Sequence, residues 1–285
     1  MSNDTAVVPR LKLCGLTKSF PDYQKSPESR NGGYVKALDD VSVDVNQGDS
    51  LVLIGPSGSG KSTLLRTMNL LSVPDRGRIE YSGELVVEQN REPETPTSLA
   101  ETDLISAGMS DEEILNYRRH FGFVFQSLNL WPTMTLRDNI AAPLRWGGMK
   151  NGVNVDDTVM EQASFVRIDN ILDKFPDECS GGERQRAAIA RALVSSPEIL
   201  LLDEITSALD PVLVAELLAL LLELRNRGQT MVTVTHHLGF AKRMANKVLF
   251  LDRGAVVQLA SAQEVLCHSK EPIVVRFVSQ ILHTL

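Results

Sequence analysis

Basic residues are in deficit. The 285-residue chain carries 29 Lys and Arg against 36 Asp and Glu, a formal net charge of −7. Phosphate backbones are bound through basic faces, so this balance argues against nucleic acid as a partner. Cysteine is scarce as well: Cys14, Cys179 and Cys267 lie far apart, with no C-x-x-C pair. That disfavours a disulfide frame or a zinc site and suits free thiols in a reducing compartment. Long uncharged apolar runs are also missing. The N-terminus, with Asp4 and Pro9, has no apolar core of the kind a secretory signal needs. The most apolar stretch, Val212–Leu224, is broken by Glu216 and Glu223, is too short to span a bilayer and reads as a core helix. No repeat or low-complexity segment stands out. The expectation is a soluble chain that reaches a membrane only through a partner.

What is present centres on Gly55-Pro56-Ser57-Gly58-Ser59-Gly60-Lys61-Ser62-Thr63. The apolar run Leu51–Ile54 before it reads as a buried strand, and Leu64–Met68 after it as the start of a helix. Strand, glycine-rich turn and helix make the phosphate-binding loop G-x-x-x-x-G-K-[ST]. Gly55, Gly58 and Gly60 permit backbone angles and close approaches that side chains block. The loop N–H groups then form an anion nest, to which the helix N-terminus adds its dipole. Lys61 is expected to reach β- and γ-phosphates and the Ser62 hydroxyl to bind Mg²⁺.

Along the rest of the chain, Leu11–Cys14 and Val41–Val45 alternate as strands, separated by a polar loop from Pro21 to Lys36. Strands are expected at Arg78–Tyr81 and Leu85–Val87, then an exposed insertion at Glu92–Gly108. A helix capped by Ser110 should end near Arg119, ahead of a strand at Phe121–Phe125. From Trp131 to Asp177 the reading turns helical, with helices at Leu136–Leu144, Asp156–Val166 and Asp169–Lys174. Beyond Ser196-Pro197 come strand 199–204, helix 211–226, strand 230–235, helix 238–245 and strands 247–252 and 255–259. Alternation of this kind gives an α/β fold with a doubly wound, mainly parallel sheet, here with a small antiparallel β subdomain and an inserted α-helical subdomain. One domain over 1–285 is expected: a core at about 11–125 and 196–260, the helical part at about 127–195, and C-terminal helices at 261–285. Ligands bind such sheets beyond the carboxyl ends of the strands. Ile54, Gln126, Glu204 and Thr235 all fall there.

Asp203 closes an apolar strand, where an unpaired carboxylate is costly. Mg²⁺ held by Ser62 and phosphates would supply the missing charge, and Glu204 beside it would orient and deprotonate a water. Ser180-Gly181-Gly182-Glu183 opens a strong helix. Alone it reads as an N-cap; as a second phosphate site far from the first, it suggests two chains sharing nucleotides.

Gly55–Thr63, Gln126, Ser180–Glu183, Asp203-Glu204, Ser207-Ala208-Leu209-Asp210 and His236 occur in the order seen in the ATP-binding-cassette (ABC) ATPases, which the chain resembles from about Leu11 to Leu285. The resemblance implies ATP and Mg²⁺ as ligands, with Gln126 as a Mg²⁺ contact facing a transmembrane partner. It implies that Ser180–Glu183 is the signature motif, contacting the γ-phosphate held by the opposite subunit. Asp210 belongs to a loop between the two sites, and His236 is a switch histidine, with His237 a weaker candidate. Phe20 is similar to the aromatic that stacks on adenine, and Tyr34 is its rival. The implied partners are a second copy in a head-to-tail dimer, two transmembrane permease subunits and, for an importer, an extracytoplasmic solute-binding protein. The implied place is the cytoplasmic face of the inner membrane.

Three residues depart from the usual pattern: Cys179 stands for leucine, Glu183 for glutamine and Ile205 for proline. The loop 21–36 and the insertion 92–108 are longer than expected for the family. Asn129–Thr135, Thr235–Ala241 and Arg276–Leu282 are most similar to ATPases of polar amino-acid importers. Alternatives kept open are an exporter or lipoprotein-releasing ATPase, a soluble ABC ATPase and a catalytically silent nucleotide switch. The C-terminal regulatory domain that some importer ATPases carry is not expected here.

Overall fold

A computed structural model describes residues 8–21, 34–91, 109–147, 154–207 and 209–282. Its centre is a six-stranded sheet in the order β10-β9-β3-β8-β7-β6. Here β3 is Ser50–Ile54, β6 Phe121–Val124, β7 Ile199–Asp203, β8 Thr230–Val234, β9 Lys247–Asp252 and β10 Ala255–Ser261. β6 to β9 and β3 run parallel, and β10 returns antiparallel along β9. Every residue of β3, β7 and β8 is buried. Burial on both faces explains the apolar runs Leu51–Ile54 and Ile199–Leu202, as in parallel strands between helical layers, while β8 also buries Thr230 and Thr233.

A second, four-stranded antiparallel sheet has the order β2-β1-β4-β5. It consists of β1 Leu11–Pro21, β2 Tyr34–Val45, β4 Arg76–Tyr81 and β5 Glu84–Asn90. Leu11, Leu13, Val41, Val43 and Ile79 join Leu51, Leu53, Leu64 and Leu65 in one core, so this sheet is glued to the nucleotide side of the central one.

The helices are α1 Lys61–Met68, α2 Asp111–Arg118, α3 Leu136–Trp146, α4 Val155–Phe165, α5 Gly181–Leu193, α6 Pro211–Asn226, α7 Leu238–Met244, α8 Ala262–Cys267 and α9 Pro272–Leu282. Most begin at a side chain that satisfies orphan backbone donors: Ser110 and Ser180 in capping boxes, and Thr135, Asn154, Asp210 and Ser261 as single caps. α3, α4 and α5 share one core with β7 and the inner face of α6. On the opposite side, α7, α8 and α9 pack on Val52, Ile54, Val248 and Phe250.

Several sequence expectations need correction. β1 runs on past Cys14 to Pro21, and β2 starts at Tyr34, so both ends of the supposed 21–36 loop are strand. Gly15, at φ +62°, and register shifts after Leu13 and Leu16 break the alternation that would have revealed this. Asp169–Lys174 is only a single 3-10 turn over Asp169–Ile171, following Arg167 at φ +62°. β7 stops at Asp203, β8 at Val234 and α7 at Met244, each a residue earlier than expected. The expected insertion at Glu92–Gly108, Ala208, residues 148–153 and most of the 21–36 loop lie outside the described residues.

Candidate nucleotide site

The Gly55–Thr63 turn joins β3 to α1. Two of its glycines are sterically required. A Cβ on Gly55, at φ +145°, would lie 2.0 Å from the Leu251 carbonyl oxygen; one on Gly60, at φ +101°, would lie 2.1 Å from that of Ala37. β9 and β2 thus press on the loop from two sides, and only hydrogen fits. Gly58, at φ +75°, faces open space and supplies conformation alone. Ser57 and Gly58 are exposed and Ser59 is buried. The Ser59 carbonyl accepts from the Gly254 N–H at 3.0 Å, fastening the loop to the β9–β10 turn.

Lys61 is only 5% exposed. Its Nζ donates to the carbonyls of Gly55 (3.0 Å) and Pro56 (2.8 Å) and lies 3.4 Å from Ser59 Oγ. Burial lowers its pKa, and the charges of Glu204 and Asp203 work against that. The ammonium is curled into the loop it would share with a phosphate. Thr63 sits in the first turn of α1, where its carbonyl accepts from Thr67 Oγ1 at 2.8 Å.

Asp203, at the end of β7, is 1% exposed. Its Oδ1 accepts from Ser62 Oγ at 2.8 Å, and Arg66 Nη2 stands 3.7 Å from Oδ2. Burial still dominates and pushes the carboxyl pKa up. Arg66 escaped the sequence reading, although it lies one turn beyond Ser62 on the same helix face, a spacing that could have flagged it. Among the described residues, no cluster of three or more His, Cys, Asp and Glu side chains could hold a metal ion by itself. A buried carboxylate paired with a hydroxyl instead suits a cation that brings further oxygen ligands, as Mg²⁺ on a triphosphate does.

Glu204 follows immediately, with φ +47°. A non-glycine residue in the left-handed region carries strain, which tends to persist where function needs a side chain aimed a particular way. Its N–H donates to the Val234 carbonyl at 3.0 Å, which fixes the turn to β8. One carboxylate oxygen accepts from Gln126 Nε2 at 3.1 Å, and the other lies 2.7 Å from His236 Nε2. Gln126, Glu204 and His236 thus meet at the carboxyl ends of β6, β7 and β8, the convergence expected of such a sheet. The His237 side chain takes no part; its N–H donates to Thr235 Oγ1 at 3.0 Å. Ile205 is buried in the helical-side core, so the residue in the place of the usual proline packs there.

The Ser180–Glu183 segment forms a closed capping box, with the Ser180 N–H donating to Glu183 Oε2 at 2.7 Å and the Glu183 N–H donating to Ser180 Oγ at 3.3 Å. These bonds hold the Glu183 pKa low. Ser180 and Gly181 are exposed, whereas Gly182 faces α6, where an added Cβ would come 2.9 Å from Leu213. Cys179 is buried in the helical core, as an apolar residue there would be. Asp210 caps α6 through Oδ1, accepting from the N–H groups of Val212 and Leu213. None of these residues is hydrogen-bonded to the Lys61–Glu204 cluster within the one chain.

Phe20 is 43% exposed, with Lys18 Nζ 5.7 Å from its ring centre. Strand pairing sets Phe20 opposite Val35 and Pro21 opposite Tyr34. The two candidate aromatics, far apart in sequence, are neighbours on the β1–β2 ladder. By alternation they point to opposite faces.

Residues 38–207 match the family model described as ABC transporter. The chain is 39% identical over 249 residues to the glutamate transport ATP-binding protein GluA of Corynebacterium efficiens, covering 87% of this chain and 89% of that one. It is 40% identical over 256 residues to the nopaline permease ATP-binding protein P of Agrobacterium fabrum, covering 89% and 95%. Its structure is similar to the bacterial ABC transporter cassette MJ0796, solved as a dimer and in a post-hydrolysis state bound to ADP and Pi. The TM-score is 0.71 at 29% identity, covering 88% of this chain and 98% of that one. The chain belongs to the ABC transporter family, as one of its ATPases.

Proposed function

We propose that the chain is the ATP-hydrolysing subunit that powers an importer of amino acids or similar small polar solutes. The observation that carries the reading is the placement of Glu204. Its strained backbone holds the carboxylate between Gln126 and His236. The phosphate-binding loop lies alongside, where Ser62 is bonded to Asp203. In this reading the loop N–H groups of 55–63 and Lys61 bind the triphosphate, and Phe20 packs on the base. Ser62 and Asp203, with Gln126, would hold Mg²⁺, which would supply charge neutralisation to the bound triphosphate. Glu204 takes a proton from the attacking water, and His236 orients Glu204 and meets the γ-phosphate.

The signature residues Ser180–Glu183 complete the site of a second copy, with Asp210 between the two sites. Supporting this, none of them is hydrogen-bonded to its own chain's Lys61–Glu204 cluster, and the cassette MJ0796 is dimeric. Among the described residues, no helix is long and apolar enough to cross a membrane. Attachment to the inner face of the membrane would therefore run through two permease subunits, with a solute-binding protein outside. The amino-acid class rests on relatives such as GluA and on the arginine transport protein ArtP of Haemophilus influenzae. The whole chain is read as one ABC ATPase domain, with the helical part at about 127–195.

A chromosomal Lys61→Ala variant tests this. It should fold, bind ATP poorly and abolish uptake of one class of radiolabelled amino acid by whole cells. Unchanged uptake of every amino acid would contradict the import reading, and wild-type ATPase of the purified variant would contradict the site.

A further inference from the structure

Arg191 lies in the last turn of α5, some eleven residues from the Ser180 cap, roughly 16 Å along the helix. It is 8% exposed. Among the described residues no carboxylate pairs with it, and burial alone draws its pKa down to about 10. A buried guanidinium without a counter-ion is costly to keep. What it holds is backbone. Nη1 donates to the Asn129 carbonyl at 2.6 Å and Nη2 to the Leu128 carbonyl at 2.5 Å. Both residues are left-handed, with φ +61° at Leu128 and +49° at Asn129. Two consecutive non-glycine residues rarely adopt that conformation unless something compels them. The guanidinium also lies 5.3 Å from the Trp131 ring centre. A second buried side chain, Asn139 of α3, ties down the next stretch. Its Oδ1 accepts from the Trp131 N–H at 2.8 Å, and its Nδ2 donates to the carbonyls of Trp131, Met134 and Thr135 at 3.0–3.1 Å.

Gln126 therefore lies within a short segment anchored at both ends. β6 holds the chain up to Val124, and the Arg191 fork holds it at Leu128 and Asn129. We propose that Arg191 is a positioning residue for hydrolysis: by clamping the left-handed Leu128-Asn129 turn, it sets the reach of Gln126 to Glu204 and links the signature helix to the hydrolytic carboxylate. This rests on the role given to Gln126 above. Lysine cannot replace the fork, because its one nitrogen cannot reproduce the two separate, planar-held donors Nη1 and Nη2 that reach the Asn129 and Leu128 carbonyls.

The test is a double-mutant cycle on ATPase turnover, with Arg191→Lys, Gln126→Ala and the pair. Arg191→Lys should lower kcat about tenfold and leave KM for ATP within about twofold. In the Gln126→Ala background, Arg191→Lys should have no further effect, since the residue it positions is gone. Thermal melting checks that each variant folds. If Arg191→Lys does not fold, the neutral Arg191→Gln, which keeps one amide donor, takes its place in the same cycle. A slow Gln126→Ala with an additive Arg191 effect overturns the positioning role alone. A Gln126→Ala variant with wild-type kcat overturns the reading of Gln126, and the inference with it.

Discussion

His236 Nε2 lies 2.7 Å from Glu204 Oε1, so the histidine at the end of β8 steers the carboxylate at the end of β7. Gln126 holds the other oxygen at 3.1 Å. Glu204 can turn about neither bond freely while both partners are in place. Replacing His236 by Ala should lower kcat by about 10²–10³, the range found when one positioned transition-state donor is removed. ATP affinity should change little. The check is single-turnover hydrolysis beside equilibrium titration with a fluorescent ATP analogue.

Asp203 offers a trade between stability and activity. Burial raises its pKa, so the folded state disfavours the ionised form. The sign follows: a carboxyl whose folded pKa lies above its unfolded value lowers stability as pH rises through that interval, and the penalty is full above the folded pKa. Asp203→Asn removes it and keeps the side chain's shape beside Ser62 and Arg66. The nucleotide-free variant should melt at a higher temperature than wild type at neutral pH. Its advantage should shrink as pH falls below the carboxylate range, and Mg-ATP hydrolysis should be lost. Melting curves from pH 4 to 8 would show it; a variant less stable than wild type at pH 7 would contradict the argument.

The neighbouring placement of Phe20 and Tyr34 turns the choice of base-stacking aromatic into one of sheet face. Phe20→Ala should weaken ATP binding by about 1–3 kcal/mol, the worth of one aromatic stacked on a base. Tyr34→Ala should cost less. Titration of both variants decides it, and a larger loss for Tyr34→Ala reverses the assignment.

The catalytic side of the site was legible because its chemistry forces residue types. Gly55 and Gly60 cannot be anything else beneath the Leu251 and Ala37 carbonyls, and Asp203-Glu204 ends an apolar strand that has no other use for two carboxylates. Fully buried β3 and β7 declared themselves as apolar runs. The antiparallel sheet was underestimated because Gly15 and the bulges of β1 interrupt its period of two. The turn at Asp169 looked like a helix because a short polar-apolar mixture cannot distinguish one turn from two. Arg191 left no trace in the sequence. Its partners are backbone carbonyls 62 and 63 residues away, and carbonyls carry no residue identity.

The most direct test of the whole account is sizing chromatography of Glu204→Gln with and without Mg-ATP. Glutamine keeps the shape and the hydrogen-bonding reach toward Gln126 and His236 but cannot accept a proton. Hydrolysis should fall by about 10²–10⁴, the usual contribution of a general base. Lys61, Ser62 and Asp203 remain, so ATP still binds. The variant should run as a dimer only with Mg-ATP, while wild type returns to monomer as ATP is spent. Adding Ser180→Arg should abolish the dimer by obstructing the exposed N-terminus of α5 in trans, with a loss of helix-cap stability of about 1 kcal/mol visible separately by melting. A Glu204→Gln chain that hydrolyses ATP at the wild-type rate, or one that is slow yet stays monomeric at saturating Mg-ATP, would contradict the account: the first removes Glu204 from the chemistry, and the second removes the site shared between two copies.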